Sequence, residues 1–298
     1  MLKALQQRDA LMQNIRAFFH SEGFIEVETP IRLRTPCMEL HIDAEPCGDH
    51  YLRTSPEICH KKLLARGAEK IFEMAKCFRQ GERGDLHNPE YTMLEWYRVG
   101  GDYMTALEDT QNLLSSVEVC SPGEGTGPTK ESGAVGRVPS PGEWKVFTIE
   151  EVFEKFAGWN PVENFDADRF DFDLVEKVEP NLPKDCPVVL KDYPAELCAL
   201  ARLKPARPEV AERWELYLNG IETANAYSEL TDPVEQRARF EKWGEQRKVL
   251  GKPVYELDED FFQWLEKMPP ACGVALGLDR LLMILVGAKS LDDVFPFR

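Results

Sequence analysis

Apolar residues recur with a helical period at the start of the chain. Residues 3–22 place a set of apolar side chains on one side, which predicts a helix with one buried face. That face comprises Leu11, Ile15, Phe18 and Phe19. Gly23 follows and suits the end of a helix. Residues 24–30 then predict a short strand that ends at Pro30.

A long hairpin is predicted between residues 71 and 97. Its first arm, 71–78, is rich in apolar and β-forming residues, and its second arm, 91–97, has the two-residue period of a strand. The polar loop between them carries donors suited to phosphate oxygens, namely Arg79, Arg83 and His87. One face of the second arm presents Tyr91, Met93, Glu95 and Tyr97. We expect this face to stack a base and bind an ammonium group, although a solvated hairpin is the plainer alternative.

A second hairpin is predicted at Asn219-Gly220, because this dipeptide between alternating segments favours a two-residue turn. The turn predicts two pairs, Leu218 with Ile221 and Tyr217 with Glu222. Glu215 then lies diagonal to Glu222 on the same face. Two neighbouring carboxylates repel each other unless a cation lies between them, and nucleotide-bound Mg²⁺ is a suitable cation. A polar face wetted by solvent is the alternative interpretation.

The strand after this turn has an ambiguous phase. Asn225 and Glu229 are out of phase with Glu222 in a regular strand. Either a bulge intervenes or the chain leaves the strand, and both interpretations stay open.

A strand, a glycine and a helix start are predicted over residues 273–283. Gly277 allows the backbone to approach a ligand closely. Arg280, in the first helical turn, suits stacking on a base or contact with a terminal phosphate. The two commonest glycine-rich phosphate loops do not occur in the sequence. An ordinary helix start is the alternative.

Local caps predict the remaining elements. Residues 57–65 predict a helix, Asp102 can cap a helix, and Thr148 with Glu151 matches a capping box. Residues 187–190 predict a buried strand.

Composition and charge narrow the class of protein. The 298 residues carry a net charge of −16, which argues against broad binding to a nucleic-acid backbone. We see no membrane span and no signal peptide, and the eight cysteines are scattered, as expected for reduced thiols in the cytoplasm. Residues 121–142 are rich in Gly, Pro and Ser and predict a mobile loop. The basic cluster of Lys61, Lys62 and Arg66 is expected to be a solvated face.

Together these stretches resemble the class II aminoacyl-tRNA synthetases of the lysyl type. Residues 3–30 resemble motif 1, Phe78-Arg79 through Tyr97 resembles motif 2, and Gly273 to Met283 resembles motif 3. The string His87-Asn88-Pro89-Glu90-Tyr91-Thr92-Met93-Leu94-Glu95-Trp96-Tyr97 is especially specific. The resemblance implies one catalytic domain over residues 1–298, with an α+β fold in which helices flank an antiparallel sheet. It also implies a homodimer.

The chain begins at motif 1, so we expect no anticodon-binding domain. It is therefore more similar to the truncated paralogues of lysyl-tRNA synthetase that join (R)-β-lysine to elongation factor P. Ser55 and Ala275 stand where the synthetases usually have Ala and Gly. Each would reshape the amino-acid pocket by one small group, worth ~1–3 kcal/mol of discrimination. The resemblance implies ATP and Mg²⁺, lysine or β-lysine as substrate, elongation factor P as acceptor, and neither tRNA nor a membrane as partner.

The resemblance also implies roles for individual residues. The expected catalytic residues are Arg79, Glu222 and Arg280. The expected ATP-binding residues are Arg79, Gln80, Gly81, Glu82, His87, Tyr91, Glu215, Leu216, Gly277 and Arg280. The expected substrate-binding residues are Ser55, Pro56, Glu57, Glu95, Tyr97, Glu222, Asn225, Tyr227, Glu229 and Ala275. The expected Mg²⁺ ligands are Glu215 and Glu222.

Within these sets, the resemblance gives each group a task. Arg79 holds the α-phosphate, and His87 with Arg280 contacts the outer phosphates. Tyr91 and Arg280 enclose the adenine. Glu57 receives one amino group of the substrate, and Glu95 with Tyr97 receives the distal ammonium.

Two positions depart from the lysyl pattern. Gln80-Gly81 stands where Asn-Glu is usual, so the glutamate that reads adenine is missing, and Glu82 is the candidate replacement. Ala226 stands where Gly is usual, which alters the shape of the pocket. The alternative functions are lysylation of tRNA and a non-catalytic paralogue that binds an amino acid.

Overall fold

The computed structural model describes residues 2–117, 144–295 and 297, so the predicted loop at 121–142 lies outside the described residues. The α-helices in these ranges are α1 (Leu2–Ser21), α2 (Glu57–Ala65), α3 (Tyr103–Ser116), α4 (Ile149–Phe156), α5 (Ala167–Asp173), α6 (Pro233–Val249), α7 (Glu259–Leu265) and α8 (Leu278–Leu285). None of them is long and apolar enough to cross a membrane.

The strands are β1 (Ile25–Glu26), β2 (Arg32–Leu33), β3 (Pro46–Cys47), β4 (His50–Leu52), β5 (Lys70–Phe78), β6 (Glu90–Val99), β7 (Lys145–Thr148), β8 (Val188–Pro194), β9 (Leu203–Lys204), β10 (Arg207–Leu218), β11 (Ile221–Ser228) and β12 (Ala271–Gly277). Nine of them form one sheet in the order β1-β5-β6-β12-β11-β10-β8-β7, with β9 beside β10. In the order of the sheet, the neighbours from β5 through β6, β12, β11 and β10 to β8 pair antiparallel. At the two edges, β1 pairs parallel with β5 and β7 pairs parallel with β8. The predicted α+β fold with a sheet flanked by helices is confirmed.

Helix α1 packs through the apolar face that the sequence predicts. Leu11, Ile15 and Phe19 are fully buried, and the ring of Phe19 stacks on Phe72 of β5 with centroids 4.7 Å apart. Gly23 ends the helix with φ +78°, a conformation that a residue without Cβ adopts readily.

The strand predicted over 24–30 is shorter in the structure, where β1 spans Ile25–Glu26 alone. The strand pairing with β5 stops at Glu26, and Thr29 then contacts β5 through its side chain, whose hydroxyl donates to Glu73 Oε2 at 2.7 Å.

The turn at Asn219 and Gly220 has positive φ at both residues, which suits the right-handed twist of a hairpin. Leu218 pairs with Ile221 and Tyr217 pairs with Glu222, as predicted. The register then shifts between Leu216 and Tyr217, because β11 carries one extra residue, Thr223. A bulge at Thr223 therefore decides the phase that the sequence left open, and it returns Asn225 to the face of Glu222.

A buried network ties α2 to β5. Arg53 Nη2 donates to Glu73 Oε1 at 2.8 Å, and His60 Nε2 lies 2.9 Å from Glu73 Oε2. Burial opposes a charge on His60, but the hydrogen bond with Glu73 and the nearby carboxylate of Glu95, 3.7 Å from His60 Nδ1, outweigh it and raise the pKa of His60. The network therefore favours the protonated imidazole.

Strand β12 approaches its neighbours closely at Gly273. This residue pairs with Tyr97 on β6 and Tyr227 on β11. A Cβ added at Gly273 would overlap Tyr97 Cε1 and lie 2.5 Å from Glu229 Oε1. Packing at this position therefore requires glycine.

The raised pKa of His60 predicts a pH-dependent contribution to stability. Such a group stabilises the fold below its unfolded pKa of about 6.5, and the contribution is lost as the pH rises through the folded pKa. His60→Gln should therefore lower the free energy of unfolding more at about pH 5.5 than at about pH 8.5. Urea titrations at both pH values test this. The exposed His20→Gln change is the control, and an equal loss for His60→Gln at both pH values would contradict the expectation.

The close approach at Gly273 predicts a packing defect. Gly273→Ala should lower the free energy of unfolding by about 1–3 kcal/mol, the usual effect of overpacking a core. Gly244→Ala in α6 is a matched control, since its Cβ would lie 3.5 Å from Val254 Cγ1, an ordinary contact. That helical change should stabilise the protein by roughly 0.5–1 kcal/mol. Denaturant unfolding measures both, and equal stability of the two variants would refute the packing argument.

Candidate functional site

The register of four central strands brings polar side chains into rows on one face of the sheet. Residues at successive paired positions are direct neighbours across β6, β12, β11 and β10. The first row is Glu95, Ala275, Asn225 and Glu215. The second row is Tyr97, Gly273, Tyr227 and Arg213. Because β12 contributes small residues, its part of this face is recessed between the longer polar side chains of its neighbours.

A cavity of about 220 Å³ opens at one end of these rows. Its walls come from the β5–β6 loop, the start of β11 and the start of α8. Among the residues that line it are Arg79, Glu82, His87, Tyr91, Glu222, Asn225, Ala275, Gly277 and Arg280. The three predicted catalytic residues therefore converge on one cavity.

The guanidinium of Arg280 is held in place from several sides. Its Nη1 donates to the Glu222 carbonyl at 2.8 Å and lies 3.4 Å from Glu222 Oε2, and its Nε donates to the Leu86 carbonyl at 3.1 Å. Its Nη2 lies 2.8 Å from His87 Nε2. Burial and the charge of Arg280 lower the pKa of His87, so the neutral imidazole can accept this hydrogen bond.

The turn that carries Arg280 is fixed by its neighbour Asp279. Arg8 of α1 donates to Asp279 Oδ1 at 2.5 Å, and the Thr92 backbone N–H donates to Asp279 Oδ2 at 2.7 Å. Helix α1, β6 and α8 therefore share one buried polar contact. Nothing local in the sequence marks Arg8 and Asp279 as partners, so this pairing was not predicted.

Arg79 is the first residue of the β5–β6 loop, and one of its guanidinium donors has no partner within the described ranges. Its guanidinium lies 5.2 Å from the ring centroid of Tyr91, whose hydroxyl donates to the Thr54 carbonyl at 2.7 Å. Arg79 Nη1 lies 3.7 Å from Glu82 Oε2. Its Nε is buried and has no hydrogen-bond partner among the described residues. Such a buried donor is well placed for an anionic ligand.

Four of the expected nucleotide-binding residues do not line this cavity, namely Gln80, Gly81, Glu215 and Leu216. The Gln80 backbone N–H donates to the Asp43 carbonyl at 2.8 Å. Gly81 has φ +77°, which turns the chain so that the next residue, Glu82, faces the cavity. Leu216 packs in the core on the opposite face of β10.

A second cavity of about 600 Å³ adjoins the first one. The two share Arg79, Glu222 and Asn225. The second cavity is also lined by Glu39, Arg213, Glu215 and Tyr227. The site therefore has two compartments that meet at Arg79.

Several expected substrate-binding residues line neither cavity, namely Ser55, Pro56, Glu57, Glu95, Tyr97 and Glu229. The carboxylate of Glu95 is held by hydroxyl donors. Ser55 Oγ donates to Glu95 Oε1 at 2.6 Å, and Tyr97 OH donates to Glu95 Oε2 at 3.1 Å. Ser55 Oγ also accepts from the Glu57 backbone N–H at 3.0 Å, next to Pro56 at the start of α2. Ser55 therefore couples the start of α2 to the carboxylate of β6.

Lys61 contradicts the expectation of a solvated basic face. Its side chain is fully buried, and Nζ lies 2.7 Å from both Glu57 Oε1 and Glu229 Oε2. Although burial opposes its charge, Glu229 and Glu57 raise the pKa of Lys61, so the ammonium persists. The spacing of four residues from Glu57 on a helix predicts the ion pair with Glu57, but it does not predict the burial of Lys61. Arg66 is exposed, as expected.

The carboxylates of Glu215 and Glu222 differ in how many hydrogen-bond and ion-pair partners surround them. Arg213 Nη2 donates to Glu215 Oε1 at 2.5 Å, while the hydroxyls of Tyr193 and Tyr217 donate to Glu215 Oε2 at 2.6 and 3.0 Å. Burial and then the charge of Glu215 raise the pKa of Glu222. A cation at Glu222 would relieve that repulsion. No cluster of three metal-ligating side chains occurs among the described residues.

The pairing of Asn225 and Tyr227 completes the floor. Asn225 Nδ2 donates to Tyr227 OH at 2.7 Å, and Arg213 Nε donates to Asn225 Oδ1 at 3.2 Å. Ala226, the unusual neighbour, is fully buried on the other face of β11. Its methyl group therefore packs in the core and does not enter the cavity.

Comparison with known proteins agrees with this geometry. The model of the family "tRNA synthetases class II (D, K and N)" matches residues 1–298. The chain is 35% identical to the elongation factor P–(R)-β-lysine ligase of Haemophilus influenzae (strain PittGG), over 99% of this chain and 95% of that protein. It is 37% identical to the ligase of the same name from Erwinia tasmaniensis, over 98% and 94% of the two chains. The ligase of the same name from Vibrio vulnificus (strain YJ016) is 36% identical, over 99% and 96%. The chain therefore belongs to the class II tRNA synthetase family of the D, K and N type, within the group of elongation factor P–(R)-β-lysine ligases.

Proposed function

We propose that this chain activates lysine or (R)-β-lysine with ATP and transfers it to a lysine side chain of elongation factor P. The observation that carries the proposal is the position of Arg79, whose buried and unpartnered Nε lies where two cavities meet. A nucleotide in the smaller cavity and an amino acid in the larger one would both reach this guanidinium. The names of the similar ligases supply the substrate and the acceptor.

In the first step, the substrate carboxylate attacks the α-phosphorus of ATP, and pyrophosphate leaves. Arg79 would neutralise the charge that builds up on the α-phosphate. Arg280 and His87 would contact the outer phosphates, and Tyr91 with Arg280 would enclose the adenine. Since the protein forms no covalent bond with the substrate, positioning and electrostatics supply most of the rate.

In this proposal, Glu82 binds the adenine in place of the glutamate that is missing at position 81. Gly81 has no side chain to offer, whereas Glu82 lines the smaller cavity and lies 3.7 Å from Arg79. Its carboxylate can accept a hydrogen bond from an exocyclic amino group.

Glu222 and Glu215 would hold the Mg²⁺ that accompanies ATP. Mg²⁺ commonly binds one or two carboxylates together with phosphate oxygens and water, so a larger protein cluster is not required. When bound, the ion neutralises phosphate charge during the displacement. The raised pKa of Glu222, caused by burial and by Glu215, supports this assignment.

In the second step, the amine of the acceptor lysine attacks the carbonyl carbon of the acyl-adenylate. A C–N bond forms, the bond to the phosphate oxygen breaks, and AMP leaves. Glu95 and Tyr97 would retain the distal ammonium of the cargo during this transfer. The net charge of −16 supports a protein acceptor over tRNA, since a polyanion would be repelled.

We further propose that the chain works as one catalytic domain in a cytoplasmic homodimer. Around the motif 1 segment, several large apolar side chains are exposed, namely Leu2, Leu5, Ile25 and Ile31. Exposed large apolar side chains are candidates for an interface with a second copy of the chain. The cysteines that the structure describes are all free, as expected in a reducing compartment.

The central test of the proposal is exchange of pyrophosphate into ATP that depends on an added lysine isomer. Arg79→Gln should lower this exchange by about 10²- to 10³-fold, the usual effect of removing a donor from a developing anion. Arg83→Gln is the matched control, because Arg83 is exposed on the same loop and lines neither cavity. Its exchange rate should equal that of the wild type.

Two outcomes separate the alternatives. Absence of exchange with any lysine isomer would favour a non-catalytic paralogue. Transfer of labelled lysine to tRNA, with none to elongation factor P, would favour tRNA lysylation.

The dimer proposal predicts that a charge introduced at one of these exposed apolar residues separates the protomers. Ile25→Glu should shift the mass in sedimentation velocity from dimer towards monomer, because a buried carboxylate without a partner opposes association. Val249→Glu is the control, since Val249 is also exposed but lies at the end of α6. A wild-type protein that sediments as a monomer at all concentrations would refute the homodimer.

A further inference from the structure

This inference rests on the proposed function. If that function is correct, the substrate amino group nearest to the substrate carboxylate needs a carboxylate of the protein as its partner. The sequence resemblance gives this group to Glu57. In the structure, Glu57 Oε1 already lies 2.7 Å from Lys61 Nζ, and the same ammonium bridges to Glu229. An internal cation therefore occupies the carboxylate that was expected to receive the ligand.

Glu39 is a carboxylate without such a cation. It lines the larger cavity together with Arg79. Its contact is a long one, from Thr54 Oγ1 to Glu39 Oε1 at 3.4 Å, and it forms no ion pair with any residue in the described ranges. Burial raises the pKa of Glu39 to about 7, against the lowering effect of Arg79, and the charges of Glu57 and Glu95 add to the rise. A cation bound beside Glu39 would favour the ionised carboxylate and lower its pKa.

The segment that carries Glu39 is held rigidly by a distant residue. Arg247 of α6 is fully buried, and its Nη1 donates to the Glu39 carbonyl at 2.6 Å and to the Ile42 carbonyl at 2.9 Å. Its Nη2 donates to Asp43 Oδ1 at 2.6 Å. These bonds use the backbone and Asp43. The Glu39 carboxylate therefore does not hold the segment in place and stays available for a ligand.

We infer that Glu39 binds the amino group nearest to the substrate carboxylate and thereby selects diamino acids over acids that carry only the distal amine. Arg79 orients the carboxylate end of the substrate at the junction of the two cavities. In lysine and in β-lysine, an ammonium lies one or two carbons from that carboxylate. In the larger cavity, which Arg79 and Glu39 both line, this ammonium can therefore reach Glu39.

The test compares three substrates that differ in this amino group. (R)-β-lysine and α-lysine carry it, and 6-aminohexanoate lacks it but keeps the carboxylate and the distal amine. In pyrophosphate exchange, Glu39→Gln should lower the ratio of kcat/KM for either lysine isomer to that for 6-aminohexanoate by about 10- to 100-fold, the range of a charge-assisted hydrogen bond. Because the result is a ratio within one variant, a general loss of active protein does not imitate it.

Glu45→Gln is the matched control. It removes the same charge six positions along the same segment, and Glu45 lines neither cavity. Its substrate ratio should equal that of the wild type. A ratio that is unchanged in Glu39→Gln, or that falls as far in Glu45→Gln, overturns the inference, as does a wild-type protein that does not distinguish lysine from 6-aminohexanoate.

Calorimetric titration separates this inference from the proposed function. If the wild type supports no exchange with any isomer, the proposed activation fails, but the affinities of the three compounds remain measurable. A loss of affinity in Glu39→Gln for the two lysine isomers alone supports the inference in that case also. An equal loss for all three compounds overturns it.

Discussion

The hydrogen-bonded register of β6, β12, β11 and β10 is the constraint on which the site depends. Because side chains alternate along a strand, a slip of one residue in any pairing would move a whole row from the cavity to the core. The bulge at Thr223 acts in the same way within β11. It places Glu222 and Asn225 on one face although three positions separate them. On β12, the small Ala275 lines the smaller cavity, whereas Gly273 makes room for Tyr97 and Glu229.

Internal cations set the electrostatics of this face before any ligand binds. Lys61 lies between Glu57 and Glu229, and Arg213 pairs with Glu215. Removal of one partner from such a buried pair leaves an uncompensated charge, which typically destabilises a protein by ~3–5 kcal/mol. These cations therefore fix carboxylates in position. The Glu39 carboxylate forms no ion pair within the described ranges and is the one that we propose for a cationic ligand.

Local signals account for the parts that the sequence predicted. The two-residue period over 91–97 and the Asn219-Gly220 turn each act within a few residues, so the strands and their first pairs were predictable. The bulge at Thr223 has no local signature, and the sequence therefore left two interpretations open. Lys61 was wrongly placed on the surface, because its burial depends on Glu229, which is distant in sequence. The position of Glu39 depends on Arg247, 208 residues away, which no periodicity reports.

The two compartments differ in how the chain builds them, and this difference bears on how specificity can change. The smaller cavity is made from sheet strands, the β5–β6 loop and the start of α8, where Asp279 ties Arg280 to α1 and β6. The larger cavity has a wall, residues 39–42, that is joined to α6 through Arg247 and lies outside the central sheet. A substitution in this wall leaves the paired strands intact, because no strand register passes through it. The larger cavity can therefore change its lining while the strands and α8 keep the geometry of the smaller cavity.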